Sequence, residues 1–343
     1  MSSKNERVLP TTVIGSYAYP SWFLTSKKQI ESGEYGITDI NETLDDAVNI
    51  AIHDQTKANI DIISDGEMRR WYFVQGFHDS FKGLEKEPIL RKVGLYGYDS
   101  PQRWKATETL TAPEGLGLVQ EYEYLIKNTN KPVKIACPGP LTIGIHIRPN
   151  GIYKNRIDMA YDFAEIINKE LKELEKRGAN FIQIDEPSWA IIPGTADEWV
   201  NLLNSTIKGL KSKLALHVCF GNLGGRARGK RDYGWMLPQL LETNVDQLVF
   251  EYANREMKEI ELWKEYNIEK ELGAGVIDVK SWYVETPSDV ADRINQLLKY
   301  TDLNKLYINP DCGFFQLPRW ISYKKIENMV LGTQIIKKEL NLI

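Results

Sequence analysis

Short apolar runs recur along the chain, and each ends in a polar or acidic residue. They are rich in β-branched residues, as is typical of buried strands in parallel sheets. The eight runs cover residues 11–16, 59–67, 131–139, 180–187, 213–219, 247–252, 272–280 and 305–312. A loop and usually a helical pattern follow each run, so the chain consists of repeated strand–helix units.

The helical pattern is clearest at residues 157–176, where apolar side chains recur on one face. The Arg-Gly pair at 177–178 is expected to end this helix. The tetrapeptide TPSD at 286–289 has the form of a capping box with proline at the first helical position, which predicts another helix start. A last helix is predicted from about residue 322.

Strands that alternate with helices favour parallel pairing with right-handed crossovers. Eight units predict an α/β fold, a (β/α)8 TIM barrel formed by residues 1–343 as a single domain, with the active site at the C-terminal ends of the strands. A doubly wound open sheet is the alternative, but the sequence GSYAYP after the first strand is not a glycine-rich phosphate loop. Residues 82–128, between strands two and three, are too long for one helix and are interpreted as an insertion that serves as a lid or lines the substrate site.

Composition excludes several classes of protein. The chain of 343 residues is 42% hydrophobic and 26% charged, which is ordinary for a globular protein. Its net charge of −4 provides no basic stripe for nucleic acid, and no apolar run approaches the length of a signal peptide core or a membrane span. Three cysteines do not form a disulfide framework, so we expect a cytoplasmic protein with free thiols.

Potential metal ligands follow three of the predicted strands. His217 and Cys219 stand at positions i and i+2 of one strand and therefore share a face. Glu251 and Cys312 end the sixth and eighth runs. Each residue alone is more often part of a core, but in a barrel these strand ends converge, which favours a zinc site. Two thiolate ligands suit zinc to binding an incoming thiol better than to activating water.

Two further carboxylates follow predicted strands. Asp185, in IQIDEP, and Glu67, in SDGE, are candidates for binding the ammonium group of an amino-acid substrate. The structural alternatives are a helix cap or an arginine partner for Asp185, and an ion pair with the adjacent Arg69 or Arg70 for Glu67. Cys137 precedes a Pro-Gly-Pro turn and is interpreted as structural.

The ordered segments TTVIGS, SDGE, PGPLT, IQIDEP, LHVC, FEYANRE, GVIDVKS and INPDCGF resemble the C-terminal catalytic half of the cobalamin-independent methionine synthase family. The resemblance covers essentially the whole chain and implies a (β/α)8 barrel that transfers a methyl group to the thiol of homocysteine. It implies that Zn2+ is bound by His217, Cys219, Glu251 and Cys312. It also implies that homocysteine, and methionine as product, are held by Ile14, Ser16, Glu67 and Asp185.

The sequence departs from the family on the methyl-donor side. The full enzyme has two barrels, and the match here is to one, as in the short core forms. Lys280 stands where the family has a histidine implicated in proton transfer, so Lys280 and Asp185 are the catalytic candidates. The tryptophan expected after the Pro-Leu-Thr turn is not evident, since that stretch reads Gly144, Ile145 and His146. The donor is left open between a methylcorrinoid, free or bound to a protein, and a methylated pterin or folate.

Two other functions are compatible with the same residues. One is an alkyl or methyl transferase of the same superfamily that acts on another thiol, such as coenzyme M. Two carboxylates near the acceptor favour an ammonium-bearing amino acid over an anionic thiol. The other is a binding protein in which zinc is only structural, a closed site that accepts no thiol ligand.

Overall fold

The computed structural model describes residues 8–70, 73–88, 102–192, 194–221 and 230–343. Within them the strands are β1 (Lys82–Lys86), β2 (Trp104–Thr111), β3 (Ile135–Pro138), β4 (Ile147–Arg148), β5 (Phe181–Asp185), β6 (Lys213–Val218), β7 (Gln247–Phe250), β8 (Glu271–Ile277) and β9 (Leu306–Pro310). The α-helices are α1 (Ser21–Glu31), α2 (Ile37–Lys57), α3 (Gln75–His78), α4 (Leu118–Lys127), α5 (Pro140–Ile143), α6 (Arg156–Lys176), α7 (Ala196–Thr206), α8 (Leu237–Leu240), α9 (Leu262–Glu265), α10 (Pro287–Leu297) and α11 (Arg319–Glu339). Short 3-10 helices cover Pro187–Ala190, Ala253–Arg255 and Leu303–Lys305.

The central sheet is parallel and follows the order of the chain. Six strands pair in the order β3-β5-β6-β7-β8-β9. Single parallel bridges then join Thr11 to Ile308, Thr12 to Ile62 and Ile63 to Val133. The first two predicted runs therefore connect β9 back to Val133, two residues before β3, although they form bridges rather than full strands. The (β/α)8 fold predicted from the eight runs is confirmed.

Inside the ring of strands, an apolar layer lies below the polar ends. Ile14, Phe181, Ala215 and Val249 form a separate buried cluster. Ala215 is two residues before His217 on β6, so both side chains lie on the inner face of that strand. The layer fills the barrel beneath the site, and the larger core packs on the other face of the strands.

The predicted helices are present. Helix α6 is capped by the side chain of Asn155 and ends at Lys176, with Gly178 at φ +97° completing the turn. Helix α10 begins with the predicted capping box at Thr286. Helix α11 begins at Arg319, three residues before the predicted start. No helix of the described ranges has both the length and the apolarity needed to cross a membrane.

The segment 82–128 is more than one helix, as predicted. Strands β1 and β2 form an antiparallel pair, and β2 also pairs in parallel with β4, which follows strand three of the barrel. Helix α4 ends the segment and packs on α6 as a crossover helix. Residues 89–101 lie outside the described residues, and the lid or substrate-lining role of the segment stays a prediction.

Candidate active site

An imidazole and two thiols meet at the C-terminal ends of β6 and β9. The ligand atoms of His217, Cys219 and Cys312 all lie within 4.8 Å of one another. The two sulfur atoms are 3.6 Å apart. Two thiolates on a tetrahedral zinc at the usual bond length are about 3.8 Å apart, so the pair is already spaced to share one ion.

The orientation of His217 leaves one ring nitrogen for a ligand. Its Nδ1 is 3.2 Å from the backbone oxygen of Val249, which can only accept, so Nδ1 carries the hydrogen and donates. The remaining nitrogen, Nε2, is buried and has no hydrogen-bond partner among the residues that the structure describes. A backbone carbonyl that fixes the tautomer in this way is the usual support of a metal-binding histidine.

The protein groups around the site favour protons on its ligands. Burial lowers the pKa of His217, but Cys219 and Asp185 raise the pKa by more, and the net shift is upward. The hydrogen bond to Cys312 and burial raise the pKa of the Cys219 thiol well above its ordinary value. A metal ion bound by these side chains would have to displace those protons, because thiol and imidazole ligands bind metals in their deprotonated forms.

Glu251 lies beside this group but is engaged elsewhere. Among the described residues, the cluster of mutually close ligand atoms consists of the imidazole and the two thiols, without this carboxylate. Glu251 is fully buried and accepts from Lys280 Nζ at 2.7 Å and from Arg231 Nη2 at 3.1 Å. Its Oε2 also accepts from the backbone N–H of Phe220 at 3.2 Å, so it adjoins Cys219 in the chain.

Lys280 is held as a cation. Its side chain is 3% exposed and pairs with Glu251. Burial lowers the pKa of Lys280, but Glu251, Cys219 and Cys312 raise it by more, so the net shift is upward. The position predicted to act in catalysis therefore carries a fixed positive charge next to the thiols.

Asp185 lies next to the cluster formed by His217, Cys219 and Cys312. It is the register partner of His217 on the adjacent strand, and only 3% of it is exposed. Its Oδ1 accepts from Gln183 Nε2 at 2.7 Å. Within the described part of the chain, its side chain neither caps a helix nor accepts from an arginine. Burial raises the pKa of Asp185, although His217 and Gln183 oppose the shift.

Glu67 is buried in a strained and poorly compensated position. Its backbone has φ +54°, which is unfavourable for a residue with a side chain. Its contact with Arg70 is long, at 3.4 Å, because Arg70 is engaged more closely by Glu121 of α4 at 2.6 Å. Burial raises the pKa of Glu67 to about 8; Arg70 lowers it, and Asp185 adds to the rise.

The first strand-end turn faces the same site. The carbonyl oxygen of Ile14 accepts from Gln183 Nε2 at 3.0 Å, which ties the turn to the support of Asp185. Ser16 is the one partly exposed residue of positions 11–20. A Cβ at Gly313 would overlap the Ser16 hydroxyl, so Ser16 lies directly against the residue that follows Cys312.

Several supporting residues were not predicted. Gln183 links Asp185 to Lys134, whose Nζ donates to Gln183 at 2.6 Å. Gln183 is two residues before Asp185 and therefore on the same strand face, so its contact with Asp185 could have been predicted from the sequence. Arg231 and Glu121 carried no such signal, because each reaches the site from a distant segment.

Cys137 and Asp311 have structural surroundings. Cys137 is fully buried, donates to the carbonyl of Pro138 at 3.3 Å, and lies outside the ligand cluster found among the described residues. Asp311 accepts from the backbone N–H groups of Tyr252 and Ala253, both at 2.9 Å. Asp311 thereby fixes the turn that follows Glu251.

The sequence is similar to a known enzyme family and to several of its members. Residues 9–334 match the family model described as the catalytic domain of cobalamin-independent synthase. The chain is 36% identical to a methionine synthase of Saccharolobus solfataricus over 335 residues, which is 97% of this chain and 96% of that protein. It is 35% identical to a methionine synthase of Sulfurisphaera tokodaii, over 97% of this chain and 94% of that one.

A solved structure shows the same similarity. The B12-independent methionine synthase of Shewanella sp. W3-18-1, determined in complex with selenomethionine, superposes with a TM-score of 0.84 at 28% sequence identity. The superposition covers 98% of this chain and 100% of that one. The matched family model and these relatives span the described barrel and its strand-end residues. The chain belongs to the cobalamin-independent methionine synthase catalytic-domain family.

Proposed function

We propose that this protein is a zinc-dependent methyltransferase that converts homocysteine to methionine. Membership of the family makes it an enzyme of the methyltransferase class that acts in methionine biosynthesis. The observation that carries the zinc proposal is the unpartnered Nε2 of His217 beside the paired sulfur atoms of Cys219 and Cys312. Cys137, Cys219 and Cys312 are free thiols, which supports a location in the reducing cytoplasm.

The carboxylates beside this group select the acceptor. Glu67 and Asp185 are both buried and short of positive partners, so an ammonium group supplies the charge that they lack. Ile14 and Ser16, in the first strand-end turn, are the proposed contacts for the rest of the amino acid. The thiol of a bound homocysteine then reaches toward the cysteines from an anchored end, which restricts its orientation.

The reaction forms a sulfur–methyl bond and breaks the bond between the methyl group and its donor. Bound zinc lowers the pKa of an acceptor thiol, so that the thiolate is available at neutral pH. Asp185 contributes by fixing the ammonium group next to His217, its register partner. Lys280 contributes a positive charge rather than a proton, because its pKa is raised.

The methyl donor is proposed by class. The altered donor-side residues favour a methylcorrinoid, free or carried by a protein, over the folate of the two-barrel enzymes, with a methylated pterin as the other candidate. Transfer to coenzyme M is disfavoured, because coenzyme M has no ammonium group to pair with Glu67 and Asp185. Homocysteine and methionine remain the preferred small-molecule partners.

The test is methionine formation by zinc-loaded protein with homocysteine and either methylcobalamin or methyltetrahydrofolate. We expect turnover with the corrinoid. Cys312→Ser and His217→Ala should each weaken zinc binding by more than about 100-fold, which exceeds the usual effect of changing a supporting residue. Cys137→Ser is the matched control and should retain zinc.

Full activity of the metal-free protein, or zinc retention in both ligand variants, would contradict the proposal. Turnover with the folate alone would retain the acceptor assignment and overturn the donor assignment. Methionine from neither donor, with coenzyme M methylated instead, would favour the other thiol.

A further inference from the structure

A lysine side chain is buried inside the barrel, below the strand ends. Lys134 immediately precedes β3 and is 1% exposed, and its Nζ lies 5.6 Å from the centre of the Phe181 ring in the apolar layer. An ammonium group in apolar surroundings is costly unless an anion compensates it. The anion that favours the charged form of Lys134 is Asp185, although the two side chains are joined only through a third residue.

That third residue is Gln183, which contacts both. Its Oε1 accepts from Lys134 Nζ at 2.6 Å, and its Nε2 donates to Asp185 Oδ1 at 2.7 Å and to the backbone oxygen of Ile14 at 3.0 Å. The lysine ammonium can only donate and the carbonyl of Ile14 can only accept, so these two groups fix which end of the amide faces each neighbour. The amide nitrogen therefore faces Asp185, and Oδ1 of that carboxylate accepts.

The charges at the two ends support each other. Burial lowers the pKa of Lys134 to about 7, and Lys213 adds to this shift, whereas Asp185 opposes it. Burial raises the pKa of Asp185, and Lys134 is among the groups that oppose the rise. Loss of the ammonium would therefore leave the ionised form of Asp185 with less support.

We propose that Lys134 is a positioning residue for the amino-acid substrate, which acts through Gln183 to keep Asp185 oriented and charged for the ammonium group. This inference rests on the proposed function, in which Asp185 binds that ammonium. The amide occupies Oδ1 of Asp185 and leaves Oδ2 for the substrate. Because the same amide also holds the carbonyl of Ile14, one buried lysine sets the geometry of two proposed substrate contacts.

The experiment compares two ligands by calorimetric titration of the zinc-loaded protein. Methionine carries the ammonium group, and 4-(methylthio)butanoate is the same molecule without it. Lys134→Met should weaken methionine binding by about tenfold, the lower part of the range for a hydrogen bond to a charged group, and should change the affinity for 4-(methylthio)butanoate by less than about twofold. A loss of packing alone would weaken the binding of both ligands equally, and that result would overturn the proposal.

A double-mutant cycle tests the route through the amide. Gln183→Leu removes the link to Asp185 and should weaken methionine binding at least as much as Lys134→Met does. In the Gln183→Leu background, Lys134→Met should add less than about a twofold loss, because no amide is left for the ammonium to orient. Losses that multiply in the double variant would overturn the proposal.

Lys134→Arg retains the charge and a donor for Gln183. Its methionine affinity should lie closer to that of wild type than the affinity of Lys134→Met, which tests the proposal if an uncharged variant folds poorly. Wild-type methionine affinity in a folded Lys134→Met would overturn the proposal directly.

Lys213→Met is the matched control. Lys213 also lies over the Phe181 ring, at 4.8 Å, but it pairs with Glu271 and donates to the Tyr307 hydroxyl at 2.6 Å. Its loss should leave methionine affinity unchanged, because Lys213 does not contact Gln183 in the described part of the chain. The same loss in Lys213→Met as in Lys134→Met would overturn the proposal.

Failure of the proposed function would give a different result. If wild type bound methionine no more tightly than 4-(methylthio)butanoate, and Asp185→Asn changed neither affinity, the ammonium site itself would be rejected. A preference for methionine that depends on Asp185 but not on Lys134 would instead retain the proposed function and reject the positioning role.

Discussion

Two buried carboxylate groups lie at the mouth of the same barrel in opposite electrostatic surroundings. Glu251 has Lys280 and Arg231 on its oxygens. Glu67, by contrast, has one long contact to an arginine that is held more closely by Glu121. The first carboxylate is well compensated by the protein, and the second is compensated only weakly.

The difference in charged neighbours bears on whether each carboxylate can bind a further cation. A carboxylate that already has cationic partners gains little from an added cation. A buried carboxylate with few cationic partners has a raised pKa, and binding of a cation stabilises its charged form. The pKa of Glu67 is raised to about 8, first by burial. These surroundings support the proposal that Glu67, rather than Glu251, binds a substrate ammonium.

The largest expected effect comes from removing compensation at Glu251. Lys280→Met should lower the free energy of unfolding of the metal-free protein by about 3 kcal/mol, because it leaves a buried charge with Arg231 alone. Urea denaturation measures this change. Adding Glu251→Gln should recover most of the loss, and a cost below about 1 kcal/mol for Lys280→Met would show that the pair is not compensating.

The next effect concerns substrate affinity. Glu67→Gln should weaken methionine binding by about 10- to 100-fold, the loss expected for one hydrogen bond to a charged group. Calorimetric titration measures it. Glu186→Gln is the control, because Glu186 is equally buried but satisfied by the Leu141 N–H and the Thr142 hydroxyl. Equal losses in the two variants would contradict a specific role for Glu67.

The raised pKa of Glu67 predicts a pH dependence. Binding of an ammonium requires the ionised carboxylate, so methionine affinity should rise about tenfold per pH unit up to pH 8 and then level off. Titrations in two buffers of different ionisation enthalpy should show proton release on binding. A flat profile in wild type, or an unchanged profile in Glu67→Gln, would contradict the assignment.

The same pKa has a consequence for stability. The folded-state pKa of about 8 lies above the ordinary value of 4.5, so the native protein holds a proton that the unfolded chain releases. The contribution of Glu67 to stability is therefore present below pH 4.5 and is lost as the pH rises toward 8. Glu67→Gln should remove this part of the pH dependence, as followed by chemical denaturation between pH 5 and 8.

The smallest effect comes from crowding the weakly compensated carboxylate. A Cβ at Gly15 would overlap Glu67 Oε1, so Gly15→Ala should displace the carboxylate and weaken methionine binding, by no more than about tenfold. Gly117→Ala meets no neighbouring atom but lies at φ +86°, and it controls for glycine substitution alone. Equal methionine affinity in Gly15→Ala and wild type would show that Glu67 tolerates the shift.

Much of the fold could be predicted because its signals are local. Strand periodicity, the capping box at 286–289 and the glycine after α6 depend on neighbouring residues, and the structure contains each of them. The helix at 118–127 within the segment 82–128 was not separated from the rest of that segment. Its role as a crossover helix depends on packing against α6, which adjacent residues do not reveal.

The candidate site was predicted only in part. His217 and Cys219 share a face because of strand geometry, and Cys312 was expected beside them because barrel strands converge at one end. The engagement of Glu251 by Arg231 and Lys280 joins three segments that are far apart in sequence. No pattern along the chain predicts which cation reaches a buried carboxylate.

The sequence by itself determined the class of fold, the family and the side chains that can bind a metal or an ammonium group. Those properties follow from residue type and from spacings of two or 3.6 residues. Only the tertiary structure decided which carboxylate is compensated, because burial and ion pairing depend on groups brought together across the barrel. Glu67 and Glu251 are the same amino acid at strand ends, and their surroundings alone give them opposite chemistry.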